Sequence, residues 1–562
     1  MPRFRPSSRP SSAGPISRDR DRLIAWLLAA TAAGVFLPAL ACGFVNVDDP
    51  KYVLQNPLVL GGLSAAGVRG AWSDVVFANW APLTILSLQL DATLFGTRPW
   101  GYHLTNVLLH AATTGVFFLA LSRMTGAPGR SAAAALLFAV HPLRVESVAW
   151  IAERKDVLSV FFLAVALLAY ERYARRPTLP GYLAVAAAML ASLLSKATAV
   201  TLPVLLLVLD AWPLRRADVP GCGPGDATAT GPARHARVSW RRLVAEKLPL
   251  LAVAAVFAVL TLWTQRSAVQ PGERMPLFAV RLPNAVVAVA DYLRETLLPI
   301  GLHPVHAHMG RGTPPAALVS AALAVAAVGA TAFRLRADVP ACAAGVAWFL
   351  LALAPVLGVV AQQGFQSRAD RFTYVPHMGL MVALVWTAAA GLARVRAPKL
   401  AAPVLLAVAA AACILATRFQ IDVWSDSVSL WTHVAALEPP GTLVHLGLGE
   451  AWYDRGDDDR AIEEFRRSLA IEPTARTHDW IALALARKGL FAEALEQHAA
   501  AAALDPNFWE AHNNAGITLA RMGRMREALE RFERAAAIAP DDPEVRRNLA
   551  QARAELASPA GP

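Results

Sequence analysis

This 562-residue chain is short of charge and of cysteine: 17% of its residues are Asp, Glu, Lys or Arg, and only four are Cys. So little charge beside 56% apolar residues and a mean hydropathy of +0.41 excludes an ordinary soluble globule. Cys42, Cys222, Cys342 and Cys413 lie far apart, mostly in or beside apolar runs, with no zinc or redox spacing. Neither structural disulfides nor thiol chemistry is expected from them. No P-loop and no Gly-rich dinucleotide fingerprint stands out, which argues against a nucleotide-driven pump. The formal charge of +11 sits largely in short loops beside apolar segments. Positive residues gather there on the cytoplasmic side of a membrane, so no nucleic-acid partner is expected.

What the chain does have is long apolar runs. A membrane span needs about 20 predominantly apolar residues. Runs near 23–42, 102–122, 131–150, 157–174, 180–195, 198–214, 248–265, 315–333, 340–360, 376–393 and 399–417 qualify, giving about eleven spans. Two weaker runs, 76–95 and 284–300, carry Asp91 and Asp291, Arg294 and Glu295, and read as amphipathic helices at the interface. Arg3, Arg5, Arg9, Arg18, Arg20 and Arg22 face two acids in the first 22 residues and place the N-terminus in the cytoplasm. In an eleven-span count the basic segments 171–176, 215–247, 334–336 and 394–399 fall on that same side. The C-terminal quarter then lies outside. Ala39-Leu40-Ala41-Cys42 is only a partial lipoprotein cleavage pattern, and many spans follow it, so the first run reads as a membrane helix.

That last quarter is punctuated by Pro439, Pro473, Pro506 and Pro540, at intervals of 34, 33 and 34 residues. A 34-residue helix-turn-helix period is the tetratricopeptide signature. The first unit has Leu448, Gly449, Trp452, Gly456, Ala461, Phe465 and Pro473; the third has Gly516, Leu519, Gly523, Ala528, Phe532, Ala535 and Pro540. The middle unit keeps Gly489, Ala494, Ala501 and Pro506 but has His498 at the aromatic position. A degenerate half-unit with Trp431 precedes Pro439.

Polar residues near the outer membrane face carry the candidate chemistry. The first span delivers Asp48 and Asp49 outside, and paired carboxylates beside hydrocarbon need a partner or a task. Such an Asp can take a proton from an acceptor hydroxyl or bind a cation; it can equally cap the next turn. The same topology turns 141–156 (HPLRVESVAWIAERKD) outward, with Arg144, Glu146, Glu153, Arg154, Lys155 and Asp156. Lys196, Arg368, Asp370 and Arg371 also face outward. Cations set there against the positive-inside tendency suit an anionic partner at the lipid boundary, such as a phosphate-bearing lipid, unless the loop charges pair among themselves. His303, His306 and His308 lie outside without a carboxylate in register, so a solvated loop is expected there and no metal site. The loop 215–247 reads as a flexible cytoplasmic connection with a basic end. Asp210 is expected to pair with a neighbouring Arg.

Five ordered motifs carry a family resemblance: NVDDPKYVLQNP, NWAPLTILSLQLDATLFGTRPWGYHLTNVLLH, HPLRVESVAWIAERKDVLSVFFLAVALLAY, SKATAVTLPVLLLVLDAWPL and RADRFTYVPHMGL. With the C-terminal repeats, the chain from about 23 to 555 resembles the transmembrane-and-tetratricopeptide-repeat proteins, especially bacterial relatives. The resemblance implies a polytopic GT-C glycosyltransferase fold. It implies transfer of a sugar, mannose-like, from a polyprenyl-phosphate carrier to Ser or Thr hydroxyls of protein on the extracytoplasmic side. It maps the catalytic acid of the first outer loop onto Asp48 and Asp49, with one as general base in a single inverting displacement. Arg144, Glu146, Arg154, Lys155, Lys196, Arg368 and Arg371 become the candidate lipid-phosphate and substrate-binding residues. One departure is Ala197, where animal relatives often carry Glu after the Lys, so no role of that acid transfers.

The expected architecture is all-α: a basic cytoplasmic tail (1–22), a multi-pass GT-C-like membrane domain (23–418), a linker with half-repeat (419–440) and a tetratricopeptide α-solenoid (441–557). Composition rich in Ala and Arg points to a bacterial inner membrane. The partners expected are the lipid carrier and, through the repeats, a protein acceptor or assembly partner. No cofactor is called for beyond the donor lipid, and nothing supports a divalent metal. A non-enzymatic envelope scaffold is the alternative, in which the repeats matter and the two Asp residues do not. A transporter would show paired internal halves, and 23–417 has no such symmetry.

Overall fold

The computed structural model describes residues 15–217, 238–265, 278–307, 313–359, 366–437 and 441–557. The chain divides into two compact units, Met1–Ser425 and Asp426–Pro562, and among the described residues the regular structure is helical apart from one two-stranded pairing and an isolated bridge between Val76 and Asn79.

The first unit begins with α1 (Pro15–Phe36), the short α2 (Pro57–Leu60) and α3 (Ala65–Ser73), then α4 (Pro82–Phe95), α5 (Pro99–Thr125), α6 (Pro128–Val140) and α7 (Val145–Ala149). It continues with α8 (Arg154–Arg175), α9 (Leu179–Ser195), α10 (Leu202–Ala211), α11 (Trp240–Gln265) and α12 (Phe278–Leu297). It closes with α13 (Pro315–Leu335), α14 (Pro340–Leu353), α15 (Pro376–Arg394) and α16 (Ala401–Val423). Proline opens α4, α5, α6, α13, α14 and α15, where its fixed φ suits a helix and its missing N–H would have had no partner. Gly126, at φ +65°, ends α5 in the left-handed conformation that lets the chain reverse tightly. The centre of the unit is α5, packed on α1, α6 and α8, while α8 lies along α9 and α14 along α15. Strand β1 (His306–Ala307) pairs antiparallel with β2 (Gln366–Arg368).

Among the described residues, seven helices are long and apolar enough to cross a membrane: Asp19–Ala41, Pro99–Thr125, Ile151–Arg175, Trp240–Gln265, Pro315–Leu335, Pro376–Arg394 and Ala401–Val423. The protein is a multi-pass membrane protein. The other four of the eleven expected runs are helical but interrupted or short. Run 131–150 breaks at His141-Pro142 and bends by 60° between α6 and the segment Pro142–Ala149. Proline there removes a helical donor and pushes its predecessor out of the α region. Run 180–195 is a helix of 17 residues, run 198–214 holds a helix of ten behind a 3-10 turn, and run 340–360 holds one of 14 that tightens at Ala354–Val356.

Run 76–95 is not an interfacial helix. Asp91 is 1% exposed, Thr84 and Gln89 are buried with it, and α4 packs on α2, α3, α5 and α9. A second element, α12, is polar on one side, with Arg294 half-exposed and paired to Asp291. Its other side sets Ala288, Val289 and Tyr292 against Phe349, Leu353 and Leu380.

The second unit is the repeat solenoid. Helix α17 (Ser427–Leu437) precedes three helix pairs: α18 (Thr442–Asp454) with α19 (Asp458–Ile471), α20 (Ala475–Arg487) with α21 (Phe491–Leu504), and α22 (Trp509–Arg521) with α23 (Met525–Ile538). Helix α24 (Pro543–Ala557) covers the last pair. The small positions work as the period implies. A Cβ on Gly449 would collide with the Phe465 ring, and one on Gly516 would sit 2.6 Å from Phe532. Each intra-pair turn passes through a glycine at positive φ, Gly456, Gly489 and Gly523, where other residues are strained. In the middle pair, His498 replaces the aromatic wedge with hydrogen bonds, Nδ1 to Asp479 at 2.7 Å and Nε2 to Thr518 at 3.4 Å. Trp431 fills the same kind of gap over Gly447, so the half-unit packs as a repeat; Pro439 lies outside the described residues.

Candidate active site

The chain leaves α1 through a 3-10 turn at Leu37–Ala41, runs extended past Gly43, and turns at Asp48-Asp49. Asp49 holds this loop in place. Its carboxylate is fully buried, accepting the Val45 N–H at 2.9 Å and, across 103 residues, the Ala152 N–H at 2.8 Å. The Gly43 N–H donates to Ser425 O at 2.8 Å, which ties the loop to the end of α16. Burial is the main reason the Asp49 pKa is pushed up to about 7; neighbouring Asp48 adds to it, and the two backbone donors work the other way.

The bend at His141-Pro142 determines where the next charges go. A continuous helix would have spread 141–156 around its circumference. Instead, the turns Pro142–Arg144 and Ile151–Glu153 flank the five-residue α7 and fold Glu146, Glu153, Lys155 and Asp156 together. Glu153 is the hub. It faces Lys155 at 3.3 Å, Lys196 at 3.1 Å and Arg371 at 3.3 Å. Lys196 also reaches Asp156 at 2.7 Å, and Lys155 reaches Asp48 at 3.4 Å. Arg371 pairs with Glu146, whose second oxygen accepts the Arg371 backbone N–H at 2.9 Å. Burial works against the Arg371 charge, but Glu146 and Glu153 outweigh it and hold the pKa above its ordinary value.

Asp48, Glu146, Lys155, Lys196 and Arg371 thus meet in one network drawn from four separate stretches of chain. The Asp48 side chain is 17% exposed, Lys196 20% and Arg371 13%, whereas Asp49 is sealed. Two carboxylates that sequence reasoning did not promote, Glu153 and Asp156, belong to this network. Their signal was the excess of cations around them, which buried structure must neutralise.

Three candidates lie elsewhere. Arg154 is fully buried and saturated by Asp91 at 2.6 Å, Asn106 Oδ1 at 2.5 Å, Ser87 Oγ at 2.7 Å and Tyr102 O at 2.8 Å. Arg368 pairs with Glu295 at 2.5 Å and Asp291 at 3.3 Å. Arg144 is fully buried against Thr373 and His377, its guanidinium 4.9 Å from the Tyr374 ring centre.

The histidine segment is not a solvated loop. His303 and His306 are both buried, their rings 3.9 Å apart, and His306 lies 3.5 Å from Asp370. Burial first, then Arg368, holds His306 neutral with its pKa down at about 2, and burial lifts Asp370 to about 7. His308 lies outside the described residues. Among the described residues no three His, Cys, Asp or Glu side chains are placed to hold a metal ion. As expected, Asp210 pairs with an arginine, Arg216 at 3.0 Å, and it also binds Lys247 at 2.8 Å.

Chemically, the network offers a carboxylate open to solvent at one edge beside ammonium and guanidinium groups able to face an anion. No protein-family model matches the chain. It is 34% identical over 179 residues to protein O-mannosyl-transferase Tmtc1 of Drosophila melanogaster, covering 31% of this chain and 21% of that protein. It is 41% identical over 95 residues to protein O-mannosyl-transferase TMTC2 of Mus musculus, covering 17% and 11%, and 32% identical over 153 residues to TMTC3 of the same animal, covering 26% and 16%. The chain thus spans about a fifth or less of the length of these curated relatives. Solved structures similar to it are the first tetratricopeptide domain of Spaghetti bound to an HSP90 peptide (24% identity, TM-score 0.20, 21% of this chain and 96% of that one) and MamA (20% identity, TM-score 0.21, 23% and 76%). The resemblance to the transmembrane-and-tetratricopeptide-repeat proteins stands on these sequence matches.

Proposed function

We propose that this protein is an integral-membrane glycosyltransferase of GT-C type. It moves a sugar, mannose by its resemblance to the O-mannosyl-transferases, from a polyprenyl-phosphate carrier to an acceptor hydroxyl, Ser or Thr of a protein. The reaction takes place on the extracytoplasmic face, with the N-terminus cytoplasmic and the repeats outside to recruit the acceptor or a partner. The observation that carries the reading is Asp48: a carboxylate open at the edge of a buried ion network, beside three cations gathered on one hub.

In the reaction the acceptor oxygen attacks the anomeric carbon, forming the new glycosidic bond. The bond from that carbon to the phosphate oxygen breaks, and its electron pair leaves with the lipid phosphate. Asp48 takes the acceptor proton as general base, a role that requires access to the hydroxyl. Asp49 is a positioning residue, since both its oxygens are spent on backbone N–H groups. Lys155, Lys196 and Arg371 stabilise the charge building on the departing phosphate. Glu146 orients Arg371.

The test is transfer from a radiolabelled polyprenyl-phosphate sugar in membranes bearing wild type, Asp48→Asn or Asp49→Asn. Labelled product lost with Asp48→Asn at unchanged expression supports the assignment. Full transfer by that variant removes Asp48 from the chemistry, and no transfer by wild type from any carrier moves the scaffold reading ahead.

A further inference from the structure

Beside Asp48 lies a patch of aromatic side chains that the charge network does not explain. The Lys155 ammonium, 3.4 Å from Asp48, sits 4.5 Å from the Tyr52 ring centre and 5.8 Å from that of Trp150. Trp150 in turn stacks on Trp424, with ring centres 5.4 Å apart and planes at 28°. All three aromatics are at most 2% exposed. Among the described residues, neither indole N–H meets an acceptor, and the Tyr52 hydroxyl hydrogen has none either. Lys155 can only donate to Tyr52, because an ammonium has no acceptor, and an indole N–H can only donate.

Buried donors without acceptors are rare in folded proteins, because each gives up its water without replacement. Here three occur in one contiguous patch that reaches from the candidate base to the end of α16. What would satisfy them is a ligand rich in oxygen acceptors. An anion is drawn to the cations of the network, Lys155, Lys196 and Arg371, whereas these three donors are neutral and call for neutral oxygen acceptors. An apolar chain would leave the donors unmet. A neutral polyhydroxyl ring meets the demand, with oxygens for the donors.

We propose that Tyr52, Trp150 and Trp424 are the sugar-recognition residues, donating to oxygens of the transferred sugar while Asp48 faces the acceptor. The proposal rests on the glycosyltransferase reading and names the part of the donor that this patch receives. It separates two recognitions within one substrate: the cation network for the lipid phosphate, the aromatic donors for the sugar.

The experiment measures binding of two probes to the purified full chain, polyprenyl-phosphate mannose and sugar-free polyprenyl phosphate. Trp150→Phe, Trp424→Phe and Tyr52→Phe each remove a donor and keep a ring. Each is expected to weaken the mannose-bearing lipid about tenfold and to leave the sugar-free lipid within about twofold of wild type. Equal losses for both probes, or no loss for either, overturn the assignment and leave the donors to ordered water. If a Phe variant loses its cooperative thermal transition, β-(3-benzothienyl)alanine at position 150 or 424 removes the N–H at constant shape, with the same tenfold expected and its absence equally fatal. Wild type that binds neither lipid takes the glycosyltransferase reading down together with this one. Wild type that binds both, with variants indistinguishable from it, refutes the sugar patch alone.

Discussion

Asp48 and Asp49 are adjacent in sequence, yet their surroundings predict opposite phenotypes for the same substitution. In Asp49→Asn one carboxylate oxygen becomes an NH2, so either the Val45 or the Ala152 N–H loses its acceptor in a site with no water access. One lost bond with an unsatisfied buried donor costs about 1–3 kcal/mol. In Asp48→Asn the lost interaction is a 3.4 Å contact at a 17% exposed side chain, and Lys155 keeps Glu153. That costs less than about 1 kcal/mol, while on the proposed function loss of the general base should lower transfer about 10²–10⁴-fold. Thermal unfolding of both variants in detergent, paired with the transfer assay, reads the two effects separately. The pH dependence adds a sign. Because the Asp49 pKa lies near 7 in the folded protein against an ordinary 3.8, its neutral form is favoured by folding. The stabilising contribution is full below about pH 4 and is lost as pH rises through 7, so the lead of wild type over Asp49→Asn should shrink across that window. A stable Asp49→Asn protein that has lost transfer, beside a fully active Asp48→Asn protein, would refute the division of roles.

Other substitutions test the framework around the site. Breaking the buried Arg154–Asp91 pair by Asp91→Asn should cost about 3–5 kcal/mol, whereas Asp91→Leu with Arg154→Met should recover much of it, measured as the apparent unfolding midpoint. Glu153→Gln removes the anion shared by three cations, and we expect a fall in stability of at least about 3 kcal/mol with loss of transfer. A variant as stable as wild type would show that the cations are balanced elsewhere. Gly449→Ala drives a methyl into the Phe465 ring and should destabilise the repeats by about 1–3 kcal/mol, seen as an earlier helical melting transition. Burial lifts the Asp370 carboxyl to about 7 from an ordinary 3.8. Asp370→Asn should therefore abolish a share of the pH dependence of unfolding between about pH 4 and 7, in the same direction as Asp49→Asn.

The repeats were legible because period, small positions and turn glycines are all local signals, and even the half-unit showed through Trp431. All seven long apolar helices among the described residues fall in expected apolar runs, while the other four runs hold interrupted or shorter helices. Composition does not register a His141-Pro142 break, nor that the run 198–214 keeps only ten helical residues. The candidate site was legible as a set of loops and only partly as a set of pairs. Topology put Asp48, Glu146, Lys155, Lys196 and Arg371 on one face, and the structure joins them. Nothing in the sequence told Arg154 from Lys155, since the partner that takes Arg154 away is Asp91, 63 residues distant on a helix read as interfacial. Glu153 was hidden for a similar reason. Its importance lies in facing two cations from other parts of the chain, Lys196 and Arg371, and that is a property of the fold alone.

The hub has a consequence for turnover. In the proposed reaction the carrier would be a phosphodiester with one negative charge before the sugar leaves and a monoester with up to two afterwards, and so would hold the same cations more tightly. A spent carrier bound that way would stall the proposed turnover. Glu153 is a competitor for Lys155, Lys196 and Arg371 that never diffuses away. On the proposed function, this carboxylate, with Asp48, Asp156 and Glu146 beside it, would take back the cations as the lipid phosphate loosens. A resident anion of this kind trades some donor affinity for faster clearing of the site.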